Sequence, residues 1–161
     1  MDIVTPNIPA SLEELKALPY ASLSEPEYGA ALFVIAMMNY KDNRDQAVSM
    51  LEFLKGPGGV SEFEKQFLKD RLEGKDHVVR SFFAGTSPDN DYTPSMPYTI
   101  SLARRDDTLS EGRISVFMNS SGADSPRYIR MRLKPSSGQW FIEEQFILSD
   151  IRIPKSMDEW A

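Results

Sequence analysis

The stretch Arg127–Ile153, RYIRMRLKPSSGQWFIEEQFILSDIRI, admits few folds. Ile129, Met131 and Leu133 alternate with Tyr128, Arg130 and Arg132. Successive strand residues point to opposite faces, so the first half predicts a strand with one apolar and one charged face. Pro135-Ser136-Ser137-Gly138 supplies the turn. A turn of that length pairs Lys134 with Gln139, Leu133 with Trp140, Met131 with Ile142 and Arg130 with Glu143. Apolar then meets apolar and cation meets anion, whereas a slip of one residue would set arginine against isoleucine. Arg132 falls opposite Phe141, where a guanidinium can lie over the ring. Continued alternation points Glu144 inward beside Trp140, Ile142, Phe146 and Leu148. An unpaired buried carboxylate is costly. Either Glu144 acquires a partner inside, or a bulge at Glu143-Glu144 turns it out.

The rest of the chain covers or extends this hairpin. Tyr98–Ala103 and Arg113–Met118 also alternate, separated by a charged turn at Arg104–Gly112, so a meander of strands runs over 98–153. Residues 1–10 hold Pro6 and Pro9 and read as an extended lead-in. Residues 11–83 are mainly helical. Ser11 and Glu14 form a capping box, as do Ser61 and Glu64. Pro26 opens a helix to about Asn39 that is apolar on nearly every side, the pattern of a helix buried all round. Asp42 or Asn43 starts another, which ends at Gly56-Pro57-Gly58-Gly59. The helix from Ser61 turns Phe63, Phe67, Leu68 and Leu72 inward. His77 reads as a surface or capping residue. Residues 84–97 form a polar loop, and the tail 154–161 docks onto the body through Trp160. The expected architecture is one α+β domain over 1–161, with about four N-terminal helices packed on one face of a C-terminal four-stranded antiparallel meander.

Composition closes off several chemistries. The 161 residues include no cysteine and one histidine. Disulfides, thiolate sites and multi-histidine metal centres are thereby excluded. The net charge of −6 lies entirely in residues 1–96, with 9 Lys/Arg and 15 Asp/Glu, against 9 of each in 97–161. That balance argues against nucleic acid as partner. No basic leader precedes an apolar core at the start, and the longest uncharged apolar run, Tyr28–Tyr40, is too short to span a bilayer. The expectation is a cytoplasmic protein with no membrane partner.

Candidate functional residues fall in two places. The charged face of the hairpin carries Tyr128, Arg130, Arg132, Phe141 and Glu143, joined by Arg113 and Phe117, a mixture of arginine and aromatic side chains typical of protein contact surfaces. The loop SSGADSPR offers Asp124, Ser125 and Arg127 to a small polar ligand. Glu144, if inward, is a third candidate. Asp89, Asn90 and Asp91 make half a calcium loop but lack its glycine and terminal glutamate, and GPGG lacks the GK[ST] of a phosphate loop. No cofactor and no metal is expected. The residues favour a non-enzymatic interaction or self-association module working through the outer sheet face, binding another protein or a second copy. The alternative is a small-molecule or enzymatic site between helices and sheet, lined by Met37, Met38, Trp140 and Glu144.

Several segments together, LKGPGGVSEFEKQFLKDRLEGKD, GTSPDNDYTPSMPYTI, SSGADSPR and GQWFIEEQFILSDIRIP followed by DEWA, resemble an uncharacterised bacterial family, a domain of unknown function of anaerobic Gram-positive gut bacteria. The resemblance runs from about Ser11 to Ala161. It implies a small cytosolic protein or a terminal domain of a longer chain, and it brings no catalytic residues with it.

Overall fold

The computed structural model describes all 161 residues, as five helices and a five-stranded antiparallel sheet. The strands are β1 (Asp2–Thr5), β2 (Tyr98–Ser110), β3 (Arg113–Met118), β4 (Arg127–Lys134) and β5 (Gln139–Gln145), and they lie side by side in chain order. Two of these limits depart from the expectation. The lead-in is a strand: Ile3 and Thr5 are buried while Val4 is exposed, and Ile3 pairs with Ile100 at the edge of the sheet. Its prolines follow the strand instead of interrupting it. The charged turn at Arg104–Gly112 shrinks to Glu111-Gly112, because β2 runs on to Ser110. Pairing with β3 is irregular between Arg105 and Ser110, and this part of β2 curls towards β4, where the Thr108 carbonyl accepts from Arg130, before Ser110 pairs with Arg113.

The β4–β5 ladder matches the predicted register from Lys134–Gln139 to Met131–Ile142. Beyond it a bulge intervenes and Glu144, not Glu143, faces Arg130. One extra residue shifts the alternation that follows. Glu144 therefore turns outward and is exposed, and Phe146, expected inside, joins the outer face at 42% exposure. Ile147 and Leu148 re-enter the core.

The helices are α1 (Leu12–Lys16), α2 (Pro26–Met37), α3 (Arg44–Lys55), α4 (Glu62–Leu72) and α5 (His77–Arg80). Ser11, Asn43 and Ser61 accept N-cap hydrogen bonds from Glu14, Gln46 and Glu64, which satisfies donors that the first turn leaves free. α2 lies across the inner face and touches β2, β3, β4, β5 and α3. Every residue from Ala30 to Met37 is buried, as its lack of a polar face demands. Gly29 in α2 passes so close to β4 and β5 that a Cβ there would lie 2.7 Å from the Met131 methyl and 3.4 Å from the Trp140 carbonyl. No helix is long and apolar enough to cross a membrane.

Three further expectations fail. Trp160 does not dock and is 93% exposed. Phe63 does not turn inward and is 79% exposed. His77 is not on the surface: it is buried and stacks on Tyr92, ring centroids 5.8 Å apart. Burial, and then the charge of Arg80, push the His77 pKa below its ordinary value, with Asp76 and Asp91 opposing and Lys75 adding to the fall. A histidine whose folded pKa is depressed contributes stability that is present above the unfolded value of about 6.5 and is lost as pH falls through the folded value. Thermal unfolding at pH 7.5 and 5.5 should therefore show a lower Tm at the acid end. His77→Gln should flatten that difference; an unchanged slope would assign it to the carboxylates.

Candidate functional site

The outer face of the sheet is built by the side chains that β2–β5 turn away from α2. Phe117 of β3 faces Tyr128 of β4 in register, and the Phe146 backbone N–H donates to the Tyr128 carbonyl at 3.0 Å. The three rings form a row, with centroids 5.2 Å apart for Phe117–Tyr128 and 4.8 Å for Tyr128–Phe146. Arg105 of β2 closes its far end, its guanidinium 5.2 Å from the Phe117 centroid. The cation over a ring on this face is thus Arg105 on Phe117 and not Arg132 on Phe141. Phe141 instead packs against the α3 end, where Gly56 has φ +57° and a Cβ would lie 2.4 Å from the ring.

Beside the aromatic row runs a charged one. Arg130 donates to the Thr108 carbonyl and the Ser115 hydroxyl, both at 3.1 Å, so the curled β2 arm holds it. Its expected partner Glu143 sits in the bulge and pairs with Arg113 at 2.6 Å, which holds that guanidinium above its ordinary pKa. Arg132, Lys134 and Glu144 make no ion pair. The loop candidates bond to their own loop and to the segment after β5. Arg127 donates to the Ser125 carbonyl and hydroxyl at 2.9 Å and to the Ser149 carbonyl at 3.2 Å, while Asp124 accepts from Arg152 at 3.0 Å.

Two grooves flank the outer end of β5, divided by Lys55. Its Nζ donates to the Glu143 carbonyl at 2.9 Å and meets Glu64 at 3.0 Å. A buried lysine is tolerated because both partners are in place. Together with the Leu23 carbonyl, which accepts from the Trp140 N–H at 2.8 Å, Lys55 also blocks the free edge of β5 against strand addition. On the α4 side a groove of about 390 Å³ is walled by Phe63, Phe67, Leu68 and Phe146. On the turn side a cleft of about 450 Å³ lies between Pro57, Phe141, Arg132 and Lys134.

Phe63, Phe67, Lys55 and Lys134 were not legible as site residues, although one signal existed. At about 100° per residue, Phe63 and Phe67 point roughly 140° from Leu68 and Leu72, on average, too wide a stripe for one helix face to bury. The residues proposed for an internal site do not converge: Met37 is core, Met38 and Trp140 are half-buried, and Glu144 is on the outside. No group of three His, Asp or Glu side chains is arranged to hold a metal.

A protein-family model described as Domain of unknown function (DUF6935) matches residues 7–155. No curated protein and no solved structure matches the chain.

Proposed function

We propose, for a chain that belongs to this family of domains of unknown function, a non-enzymatic role as a protein-interaction or self-association module that works through the outer sheet face. The observation that carries the reading is the row of rings Phe117, Tyr128 and Phe146, which continues past β5 into the groove beside Phe63. Phe63 stands 79% exposed beside the same groove as a Phe146 that is 42% exposed. Clustered exposed apolar side chains rimmed by charge mark interaction sites more often than single ones do, and aromatic and arginine anchors supply most binding energy in such surfaces. The family resemblance supports placing the protein in the bacterial cytoplasm.

A photo-crosslinking amino acid at position 146, expressed in the protein's own cells, tests the reading. It should give a discrete adduct that Tyr128→Ser removes, whereas the same group at the exposed Lys41 should not. Identical adducts at both positions, or none at 146, would overturn it.

A further inference from the structure

We infer that the chain associates with itself head to tail, the segment Asp158–Trp160 of one copy seating in the turn-side cleft of the next. This deepens the proposed function and rests on it, because Arg132 and Phe141 of the outer face form one wall of that cleft.

The two surfaces match in kind. The cleft of about 450 Å³ has an apolar floor of Phe141, Leu133 and Pro57, a size that takes a small ligand or one large side chain. Its rim carries Arg132 and Lys134, both exposed and neither in an ion pair, while its remaining charges, Lys55 and Glu143, are already matched by Glu64 and Arg113. The segment offers the complement. Trp160 is 93% exposed, and the flanking Asp158 and Glu159 make no ion pair with the body. An exposed tryptophan preceded by two unpaired acids and an apolar cleft rimmed by unpaired bases satisfy each other's unmet contacts.

In the structure the same copy does not bring the two together: Trp160 stands 93% exposed, outside its own cleft. The tail is anchored at the end of the sheet where β4 begins: the Arg152 N–H donates to the Gly122 carbonyl at 2.9 Å, and Lys155 pairs with Asp89 at 2.7 Å. The cleft lies where β4 ends. Arg127 to Lys134 spans about 23 Å at ~3.3 Å per residue, whereas the backbone of the five residues from Lys155 to Trp160 reaches at most about 18 Å. Held there by its anchors, the exposed segment is presented to a neighbour's cleft. Because the two patches differ, each bound pair leaves one free cleft and one free tail, and growth continues into open chains or rings. One tryptophan with two exposed ion pairs makes a small interface, so the dissociation constant should be on the order of 100 µM, weakening as salt screens the charges.

Sedimentation equilibrium across a wide concentration range tests this. The wild-type chain should show a mass that rises with concentration past that of a dimer, and both Trp160→Ala and the double variant Arg132→Glu/Lys134→Glu should be monomers with unchanged circular dichroism. Mixing those two variants should give a dimer and nothing larger, since one retains only the cleft and the other only the tail. A wild-type chain that stays monomeric at about 1 mM, ten times the expected constant, overturns the inference and leaves the outer-face reading standing. Association that survives Trp160→Ala but is lost in Phe146→Ser also overturns it, and assigns self-contact to the aromatic row. Loss of the crosslink at position 146 would instead remove the functional reading itself.

Discussion

Replacing Arg104 by Met should destabilise the fold by about 3–5 kcal/mol, which at about 2–4 °C per kcal/mol for a chain of this size lowers Tm by roughly 6–20 °C. Arg104 stands on the inner side of β2, at the start of α2. Its Nε and one terminal nitrogen bind Glu27 at 2.9 and 2.7 Å, and the same nitrogen binds Glu25. Those bonds, that to Glu27 foremost, hold its pKa above the ordinary arginine value. The cost of the substitution is set less by the arginine than by what it leaves behind. The Glu27 side chain is 5% exposed and would be left buried without its bonding partner, while the Arg104 side chain is 33% exposed and can reach water. The pair is thus asymmetric. Glu27→Met leaves Arg104 with Glu25 and solvent, so its cost should be at most about half as large. The double variant Glu27→Met/Arg104→Met removes both charges and should recover most of the loss, since apolar replacement of a buried pair is often neutral. Urea unfolding of the four chains closes the cycle. Equal costs for the two single variants would show that Glu27 finds water and that the pair is an ordinary surface contact.

That ion pair was hidden in the sequence for a physical reason. Arg104-Arg105-Asp106-Asp107 has the composition of a turn, and nothing local says that the strand continues through it. The charge of Arg104 is neutralised from a helix 77 positions upstream, a partner no window along the chain can supply. The hairpin behaved differently because its specification is local. Alternation and turn length fix Leu133 against Trp140 and Met131 against Ile142, and a buried carboxylate left only two outcomes for Glu144. The bulge was one of them, and its further consequence, Phe146 moved to the outside, follows from the same period of two. The outer face was legible for the same reason. What escaped was what α3, its C-terminal turn and α4 supply: the Lys55 that divides the grooves, the exposed Phe63 that walls one of them, and the Gly56 against which the Phe141 ring packs.

Gly122→Val should be the other severe substitution, costing more than the about 1–3 kcal/mol usual for an overpacked methylene. The backbone of Gly122 is of ordinary conformation, so space and not φ makes the position demanding. A Cβ there would lie 2.4 Å from Tyr92 Oη, 2.7 Å from Ile151 Cγ2 and 3.1 Å from Tyr92 Cζ. Neither neighbour is free to yield. Tyr92 is wholly buried, its hydroxyl donating to the Arg152 carbonyl at 2.5 Å and its ring stacked on His77, while Arg152 returns its N–H to the Gly122 carbonyl at 2.9 Å. Around this point the serines of SSGADSPR close a second set of bonds. The Ser120 hydroxyl donates to that of Ser81 at 2.6 Å, and the Thr86 and Ser121 hydroxyls lie 2.7 Å apart. Three separate segments, each overlapping a motif by which the chain resembles its family, are thereby tied into one knot with no buried side-chain donor or acceptor left unpartnered. Their hydroxyls are bonded to one another within the fold. Gly122→Ala should already lower Tm, and Gly58→Ala, where a Cβ meets nothing within 4 Å, should stay within about 0.5 kcal/mol of the parent. Hydrogen exchange would localise the damage. In Gly122→Ala the amides of Ser121 and Arg152 should lose protection while those of β4 and β5 hold theirs, and uniform loss across the sheet would show that the knot is part of the main core and not a separate fastening.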